Sequence, residues 1–515
     1  MGYVSAITKT TAIIIVVLIV IAAIIGAVIY LQQAGAPPTT TPSPTTSPTT
    51  TTPTTTPTTT PTTTPTTTPT TTPAEELPEL SIGETSIRVP KWLKEFADKC
   101  KAGEIGTVDI YFATSMMPFE VNITSKIVEK FMEEYPCIVV HYDNIQNMKT
   151  LIAAAVQVGE PGKGPDVFTW AHDWTGEMAD AGYIVPLDKY LPVETINDLK
   201  SQFLAIAFQA TQYKLSTWGL PWAAEAIALV VNTNMVDTPP ETFDEMKSIM
   251  EQFYDPANDM YGLAYQADPY FLYPWITAFG GFYYDEITGE FGINSTSTEQ
   301  GIEFYIRNIL PYLDYSDLGH EHQLTVFTEG RAPMMITGPW DIPRIKDVIG
   351  EENIKIVPVP DIDSEHQTKP FSGIKLLWMT QLATKGDPNR LKATLLFMIW
   401  FTLNDETIRM LMEGAGFIPV KLSLLQYVSE HQEEYPIIAG FAASIAESIP
   451  MPKDVKMSKA WYVGTCLNAI LNNFTAVIDA GGTVEEAINS AVESIDITLD
   501  YCMAEILRSL EETSG

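Results

Sequence analysis

The feature that most constrains this chain is a run of threonine and proline between residues 37 and 73. The run contains 24 Thr, 11 Pro and 2 Ser, mostly as a Thr-Thr-Thr-Pro repeat. It cannot contribute to a hydrophobic core, and a proline at every fourth position favours extended polyproline II backbone. Such tracts are typical of O-glycosylated stalks, and a bare flexible linker is the alternative. The run therefore separates an N-terminal segment from a globular part after residue 73.

The N-terminal segment contains a long apolar stretch. Residues 12–31 are 20 consecutive residues without a charge, enough for a helix of about 30 Å, the thickness of a bilayer core. Lys9 precedes the stretch and no basic residue follows before Arg88, which favours an N-terminus inside the cell. We predict a transmembrane anchor within residues 1–36 and an extracellular globular part tethered to the cell membrane. A signal peptide cleaved near Ala34-Gly35-Ala36 is the alternative.

The charge of the chain excludes one class of partner. The formal net charge is −34, and Lys9 is the only charged residue among the first 73, so the acidity belongs to the globular part. Such a surface repels polyanions, and we predict no binding of nucleic acid. Asn-X-Ser/Thr sequons at Asn122, Asn294 and Asn473 fit an extracellular glycoprotein.

Hydrophobic periodicity predicts an α/β fold. Strands are predicted near 108–113, 137–142 and 166–170, with helices between them, so the three strands form a parallel βαβαβ run. A further buried strand is predicted over 225–232, and the last 140 or so residues are predicted to be mostly helical. Capping signatures mark three helix starts, at Thr242 with Glu245, at Asp387 with Pro388, and at Thr483 with Glu486.

The four cysteines stand at positions 100, 137, 466 and 502. Outside the cell two disulfides can form, and the sequence alone allows three pairings. We favour Cys100–Cys137, because these residues precede the first and open the second predicted strand, with Cys466–Cys502 joining two C-terminal helices. Four buried free thiols are the alternative.

Signatures of catalysis are absent from the sequence. It contains no Gly-X-Ser-X-Gly, phosphate-loop or His-Glu-X-X-His motif. His320 and His322 in Gly-His-Glu-His could chelate a metal, but two histidines in a polar loop are weak evidence. We therefore predict no catalytic residue, no cofactor and no metal.

Aromatic residues gather near carboxylates where predicted elements end. A sugar presents an apolar C–H face, which an aromatic ring can cover. It also presents hydroxyl groups, whose hydrogen bonds a carboxylate can accept. A cleft lined by both kinds of residue suits an oligosaccharide, although any single Trp or Tyr can equally be a core residue. The segments are Trp170–Trp174, Pro221–Glu225, Asp268–Phe271, Thr337–Trp340 and Ala460–Tyr462.

These segments resemble segments of the maltose/maltodextrin-binding proteins of ABC importers. They occur in the same order as in that family and span about residues 105–510. Residues 238–262 most resemble the archaeal maltodextrin-binding proteins. The matching segments include Gly-Pro-Asp-Val-Phe-Thr-Trp-Ala-His-Asp (164–173), Phe-Thr-Glu-Gly-Arg-Ala-Pro-Met-Met-Ile-Thr-Gly-Pro-Trp (327–340), Lys-Pro-Phe-Ser-Gly (369–373) and Ile-Pro-Met-Pro through Trp-Tyr (449–462).

The resemblance implies a periplasmic-binding-protein-like α/β fold, in which a hinge joins two discontinuous lobes. The first lobe is expected to comprise 83–222 plus 377–432, and the second 228–371 plus 437–515. The resemblance also implies that Trp170, Tyr270, Trp340, Trp461 and Tyr462 stack on glucose rings, and that Asp173, Glu225 and Asp268 accept hydroxyl hydrogen bonds. We add Trp174, which follows Asp173, to the predicted site as a further aromatic residue.

Some positions depart from the family pattern. Ser115-Met116 replace an Asp-Lys pair found in some relatives, Trp174 and Thr465 replace arginines, and Asp268 replaces a glutamate. A site with fewer fixed charges and one more aromatic ring favours longer or differently linked glucans.

The sequence thus predicts a monomeric, membrane-tethered solute-binding protein that delivers maltodextrin-type oligosaccharides to an ABC permease. An extracellular glycoside hydrolase acting on α-glucans is the alternative, and it requires two carboxylates across one glycosidic bond. A surface adhesion protein that binds no small ligand is a third possibility.

Overall fold

The computed structural model describes residues 77–514. The predicted anchor and the Thr/Pro stalk lie outside these residues. Within the part of the chain that the structure describes, no helix combines the length and apolar character needed to cross a bilayer.

Strands and helices alternate through most of this region. The strands are β1 Glu79–Ile82, β2 Thr85–Arg88, β3 Val108–Thr114, β4 Ile138–Asn144, β5 Val167–Ala171, β6 Gln212–Tyr213, β7 Ser216–Thr217, β8 Gly219–Ala226, β9 Ala228–Asn232, β10 Met334–Thr337, β11 Ile354–Val357, β12 Phe371–Met379, β13 Ile418–Pro419 and β14 Ile449–Pro450. The α-helices are Lys91–Lys101, Pro118–Glu134, Met148–Val158, Thr175–Asp180, Val193–Lys200, Ala205–Gln209, Phe243–Phe253, Pro269–Ala278, Thr296–Asn308, His320–Thr328, Ile342–Ile349, Pro388–Leu403, Asp405–Ala415, Leu422–Glu430, Pro436–Ala446, Val455–Ala460, Val463–Asp479, Val484–Glu493 and Ile495–Ser514.

The larger sheet has the strand order β13-β8-β12-β5-β3-β4, and β14 pairs with β12. Strands β4, β3 and β5 are parallel, which confirms the predicted βαβαβ run. Strand β12 is antiparallel to both β5 and β8. The helix Pro388–Leu403 is buried over almost its whole length, and its Phe397 and Phe401 rings lie 5.1 and 5.8 Å from the ring of Phe112 in β3.

The smaller sheet has the order β10-β9-β11, with both outer strands antiparallel to β9. The prediction of a single strand over 225–232 was wrong, because β8 and β9 belong to different sheets and meet at Ile227. An uninterrupted buried apolar run has the same sequence pattern whether it lies in one sheet or two. The helix Pro436–Ala446 packs beside this crossing, where Ser444 Oγ donates to the Ile227 carbonyl at 2.7 Å.

The molecule therefore has two lobes. Lobe 1 is built on the larger sheet, and lobe 2 on the smaller sheet with the helices between 243 and 349 and those after 455. The smaller sheet lies between two hydrophobic cores: Val230 and Met335 pack into the first core, and Leu229 and Val231 into the second.

Helix caps and disulfides agree with the sequence. Thr242 and Thr483 form capping boxes with Glu245 and Glu486, and the Asp387 carboxylate accepts from the Asn389 amide at 2.9 Å. Cys100 pairs with Cys137 in lobe 1, and Cys466 with Cys502 in lobe 2. The alternative of four free thiols was wrong.

The hairpin β1–β2 is fastened to lobe 1 where the described chain begins. The Arg88 guanidinium donates to both carboxylate oxygens of Asp198, at 2.8 and 2.6 Å. The buried Lys421 ammonium donates to Thr85 Oγ1 at 2.8 Å. Both contacts are made only with residues of lobe 1.

Candidate functional site

A cavity of about 310 Å³ lies between the lobes. Lobe 1 contributes most of its lining, and lobe 2 contributes Pro339 and Trp340. The lobe 1 residues on which the chemistry depends are Met116, Glu120, Trp170, Glu225, Lys375 and Phe417.

Trp170 presents one aromatic surface to the cavity from the end of β5. It stacks on Trp174, with the ring centroids 4.9 Å apart and the planes inclined by 28°. The Lys375 ammonium lies 5.4 Å from the Trp170 ring centroid, and the Lys149 ammonium 4.6 Å from that of Trp174. The stacked Trp174 ring and the Lys375 ammonium thus restrict the orientation of the Trp170 ring.

Trp340 presents the second aromatic surface from lobe 2. It lies in the 3-10 turn Pro339–Asp341 and is 38% exposed. Its ring folds over Gly338, where a Cβ would lie only 2.2 Å from the ring, so any larger residue at this position would displace the ring. Tyr270 lies 6.4 Å from Trp340, Phe371 6.1 Å from Tyr270, and Trp461 5.9 Å from Phe371. We call these four residues the aromatic row.

A charge pair lies on adjacent strands of the larger sheet, at the cavity. Glu225 in β8 and Lys375 in β12 approach to 3.0 Å, and their side chains are 18% and 19% exposed. Gly373 makes room for Glu225, since a Cβ there would lie 2.8 Å from Glu225 Oε1. The pairing of β8 with β12 shifts register between Lys375 and Leu376, and such a bulge redirects side chains. The pair offers an acceptor and a donor to a ligand.

Two further carboxyl groups near the charge pair are largely removed from solvent. Burial raises the pKa of Glu120, and the hydrogen bond from the Met117 amide and the charge of Lys375 partly offset this increase. Burial raises the pKa of Asp173 to about 7, against the opposing charges of Lys149 and Lys375. Asp173 Oδ1 is buried and has no hydrogen-bond partner among the described residues. Burial thus disfavours the charged form of both carboxyl groups.

His172 fixes the strand end that carries Trp170 and Asp173. Burial lowers the pKa of His172 to about 3, so the ring is neutral. Its Nδ1 accepts from the Ile374 amide at 3.0 Å, and Nε2 lies 2.8 Å from the Met451 carbonyl, to which it donates. The Trp-Ala-His-Asp segment is thereby joined to β12 and to the segment after β14.

Taken together, these residues suit a neutral polyol. Flat rings from opposite lobes can cover the apolar faces of a sugar, while Glu225 accepts and Lys375 donates hydrogen bonds to its hydroxyls. The carboxylates and ammoniums largely offset one another, so the cavity lacks the strong field that would select a charged ligand.

Comparison with known proteins agrees with this geometry. Residues 126–439 match the family described as bacterial extracellular solute-binding protein. The chain belongs to this family. It is 34% identical over 365 residues to the maltotriose-binding protein of Pyrococcus abyssi (strain GE5 / Orsay), covering 70% of this chain and 76% of that protein.

Two further similarities extend the comparison. The chain is 22% identical to the maltodextrin-binding protein MdxE of Bacillus subtilis (strain 168), over 66% of this chain and 77% of that one. A solved cyclo/maltodextrin-binding protein complexed with maltotetraose superposes with a TM-score of 0.61 at 24% identity, covering 76% of this chain and 97% of that one. This likeness confirms the two-lobed α/β fold.

This solute-binding protein is accordingly a binder and not an enzyme. The reported relatives are binding proteins, and they give the glycoside-hydrolase alternative no support.

The structure brings most of the predicted site residues together. Trp170, Glu225 and Trp340 line the cavity of the solute-binding protein. Trp174 stacks on Trp170. Asp173 interacts with Lys375 and Glu225. Tyr270 and Trp461 do not line the cavity, but they extend the row that begins at Trp340.

Two predicted residues have other partners. Asp268 caps the helix Pro269–Ala278: its Oδ1 accepts from the Tyr270 and Phe271 amides at 2.8 and 3.0 Å, and its Oδ2 from Gln266 Nε2. Tyr462 lies beside Tyr501 on the C-terminal helix, and desolvation followed by this contact raises the Tyr462 pKa. The roles of both residues toward a sugar stay predictions.

Sequence reasoning missed Lys375, Glu120 and Phe417. A single lysine within the otherwise apolar β12 was the available signal for Lys375, whereas nothing local marked Phe417. In the Gly-His-Glu-His segment, His320 pairs with Asp341 and His322 with Asp314. Among residues 77–514, no group of three or more His, Cys, Asp or Glu could hold a metal.

Replacing Asp173 with asparagine should change how stability depends on pH. A carboxyl whose pKa is raised on folding binds its proton more tightly in the folded state, so its ionisation costs stability as the pH rises from about 4 through 7. We expect the stability of Asp173→Asn relative to the native protein to increase by about 2 kcal/mol between pH 5 and pH 8. Urea unfolding at both pH values measures this difference. The exposed Asp143→Asn is the control, and an equal change in both variants would contradict the assignment.

Proposed function

We propose that this solute-binding protein binds maltodextrin-type oligosaccharides between its lobes and presents them to an ABC permease. The observation that carries the proposal is the placement of Trp170 and Trp340 on opposite lobes, with the Glu225–Lys375 pair in the same cavity. Rings from two lobes can grip a sugar only when the lobes approach, so ligand binding favours the closed arrangement.

The choice of glucan rests on relatives and on chemistry. Relatives named for maltotriose and maltodextrin are similar over about two thirds of this chain. The aromatic row continues beyond the cavity through Tyr270 and Phe371 to Trp461. Within this row Phe371 is buried, whereas Tyr270 and Trp461 are partly exposed. These two rings would supply stacking positions beyond Trp340 and favour oligosaccharides over single sugars.

The remaining parts of the proposal concern location and organisation. Residues 12–31 would anchor the protein in the cell membrane, and the stalk 37–73 would carry a monomeric binding part outside the cell. Lobe 1 would comprise 83–222 plus 377–432, and lobe 2 would comprise 228–371 plus 437–515. Asn122 is exposed and is the most accessible of the three sequons to glycosylation.

A thermal-shift panel tests the ligand. Maltose, trehalose, maltotriose and longer maltodextrins would each be added to the native protein at millimolar concentration. A ligand at about 100 times its Kd adds about 2.7 kcal/mol of stability, so maltotriose and longer chains should raise the melting temperature by several degrees. No shift with any soluble sugar would favour an adhesion protein, and release of shorter sugars during incubation would favour a hydrolase.

A further inference from the structure

His320 lies behind the turn that carries Trp340. It is the first residue of the helix His320–Thr328, and its Nε2 lies 3.0 and 2.9 Å from the two carboxylate oxygens of Asp341. Asp341 directly follows Trp340 and is only 4% exposed. Its carboxylate also accepts a hydrogen bond from Thr337 Oγ1, at the end of β10.

The turn thus has side-chain support on two sides. Thr337 ties Asp341 back to the strand before the turn, and His320 ties it to a separate helix. His320 Nδ1 lies 3.4 Å from Glu321, and Glu321 in turn pairs with Arg344 at 2.7 Å in the helix that follows the turn. The backbone adds hydrogen bonds from the Asp341 amide to the Gly338 carbonyl, at 3.3 Å, and from the Ile342 amide to the Pro339 carbonyl.

The Trp340 ring is partly exposed, so the position of its turn decides how the ring faces the cavity. The ring lies over Gly338 and makes edge contacts with Tyr270 and Phe271, at centroid distances of 6.4 and 6.3 Å. A stacking surface binds well only when its orientation is fixed before the ligand arrives.

We propose that His320 is a positioning residue for Trp340, acting through Asp341, and that it contributes to sugar affinity without touching the sugar. This inference rests on the proposed function. His322 offers a matched control, because it lies on the same helix two residues later and pairs with another poorly exposed carboxylate, Asp314, at 2.7 Å, away from the cavity lining.

Maltotriose titrations of native protein and variants test the proposal. His320→Ala should weaken binding about five- to twentyfold, and His322→Ala less than about twofold. His320→Gln should recover affinity to within about threefold of native, because its amide can still donate to Asp341. In a Trp340→Ala background, His320→Ala should have less than about a twofold effect, since the residue through which it acts is gone.

Each outcome decides the question. Equal weakening by His320→Ala in the native and Trp340→Ala backgrounds would overturn the proposal, because a general loosening of lobe 2 acts in both. This comparison holds even when the variant melts at a lower temperature. Failure of the native protein to bind maltotriose would contradict the proposed function itself, whereas native binding with an unaffected His320→Ala would contradict only the role of His320.

Discussion

Trp340→Ala is expected to weaken maltotriose binding by about 1–3 kcal/mol, which corresponds to roughly 5- to 150-fold in Kd. The ring is the principal apolar surface that lobe 2 offers to the cavity. Its removal leaves the sugar covered by Trp170 from one side only. Because the ring is 38% exposed and outside the lobe 2 core, the variant should fold normally.

Titration calorimetry measures this effect against two comparison variants. Trp218→Ala removes a half-buried ring of lobe 1 that does not line the cavity, and its affinity should stay within about twofold of native. Trp461→Ala tests the far end of the aromatic row, and we predict a loss in the same range as for Trp340 when the ligand is long enough to reach it. An unchanged Kd for Trp340→Ala would remove this residue from the site.

Removing the Cys466–Cys502 disulfide is expected to lower the free energy of unfolding by about 3–4 kcal/mol. The bond closes a loop with a sequence separation of 36 residues, and the loss follows from the greater chain entropy of the unfolded state when this loop is open. Both side chains are buried, so the double substitution to alanine leaves little polar surface unsatisfied.

The Cys100–Cys137 pair provides an internal comparison. Its sequence separation of 37 is nearly the same, and its removal should therefore cost a similar amount, but in lobe 1. Denaturant unfolding followed by far-UV circular dichroism measures both double variants. A loss below about 1 kcal/mol for either pair would contradict the loop-entropy argument for that lobe.

Much of the fold could be predicted because local patterns decide it. The strands β3, β4 and β5, with their intervening helices, follow from apolar periodicity, and the caps at Thr242 and Thr483 follow from the spacing of two residues. The division between β8 and β9 could not be predicted, because Ala226, Ile227 and Ala228 are all fully buried and nothing in their sequence marks the passage from one sheet to the other.

The lining of the cavity could be predicted where aromatic residues lie at or after strand ends, as with Trp170 and Trp340. Asp268 shows how two signals compete. The sequence Asp-Pro marks a helix start at Asp387, and the same signature at Asp268-Pro269 also caps a helix in the structure, although the resemblance assigned Asp268 to the sugar. The position of the Lys375 side chain at the cavity depends on the register shift between β8 and β12. Such a shift arises only when two segments distant in the sequence pair.

The hairpin β1–β2 determines where mechanical tension enters the folded part. A pull on the chain ahead of Leu77 loads the Val89–Pro78 backbone bond and the β1–β2 ladder, which the Arg88–Asp198 and Thr85–Lys421 contacts join to lobe 1. Lobe 2, with the Trp340 face of the cavity, makes neither of these side-chain contacts. In the proposed tethered protein, such a pull would therefore act on lobe 1, and lobe 2 could move toward its ligand without stretching these contacts.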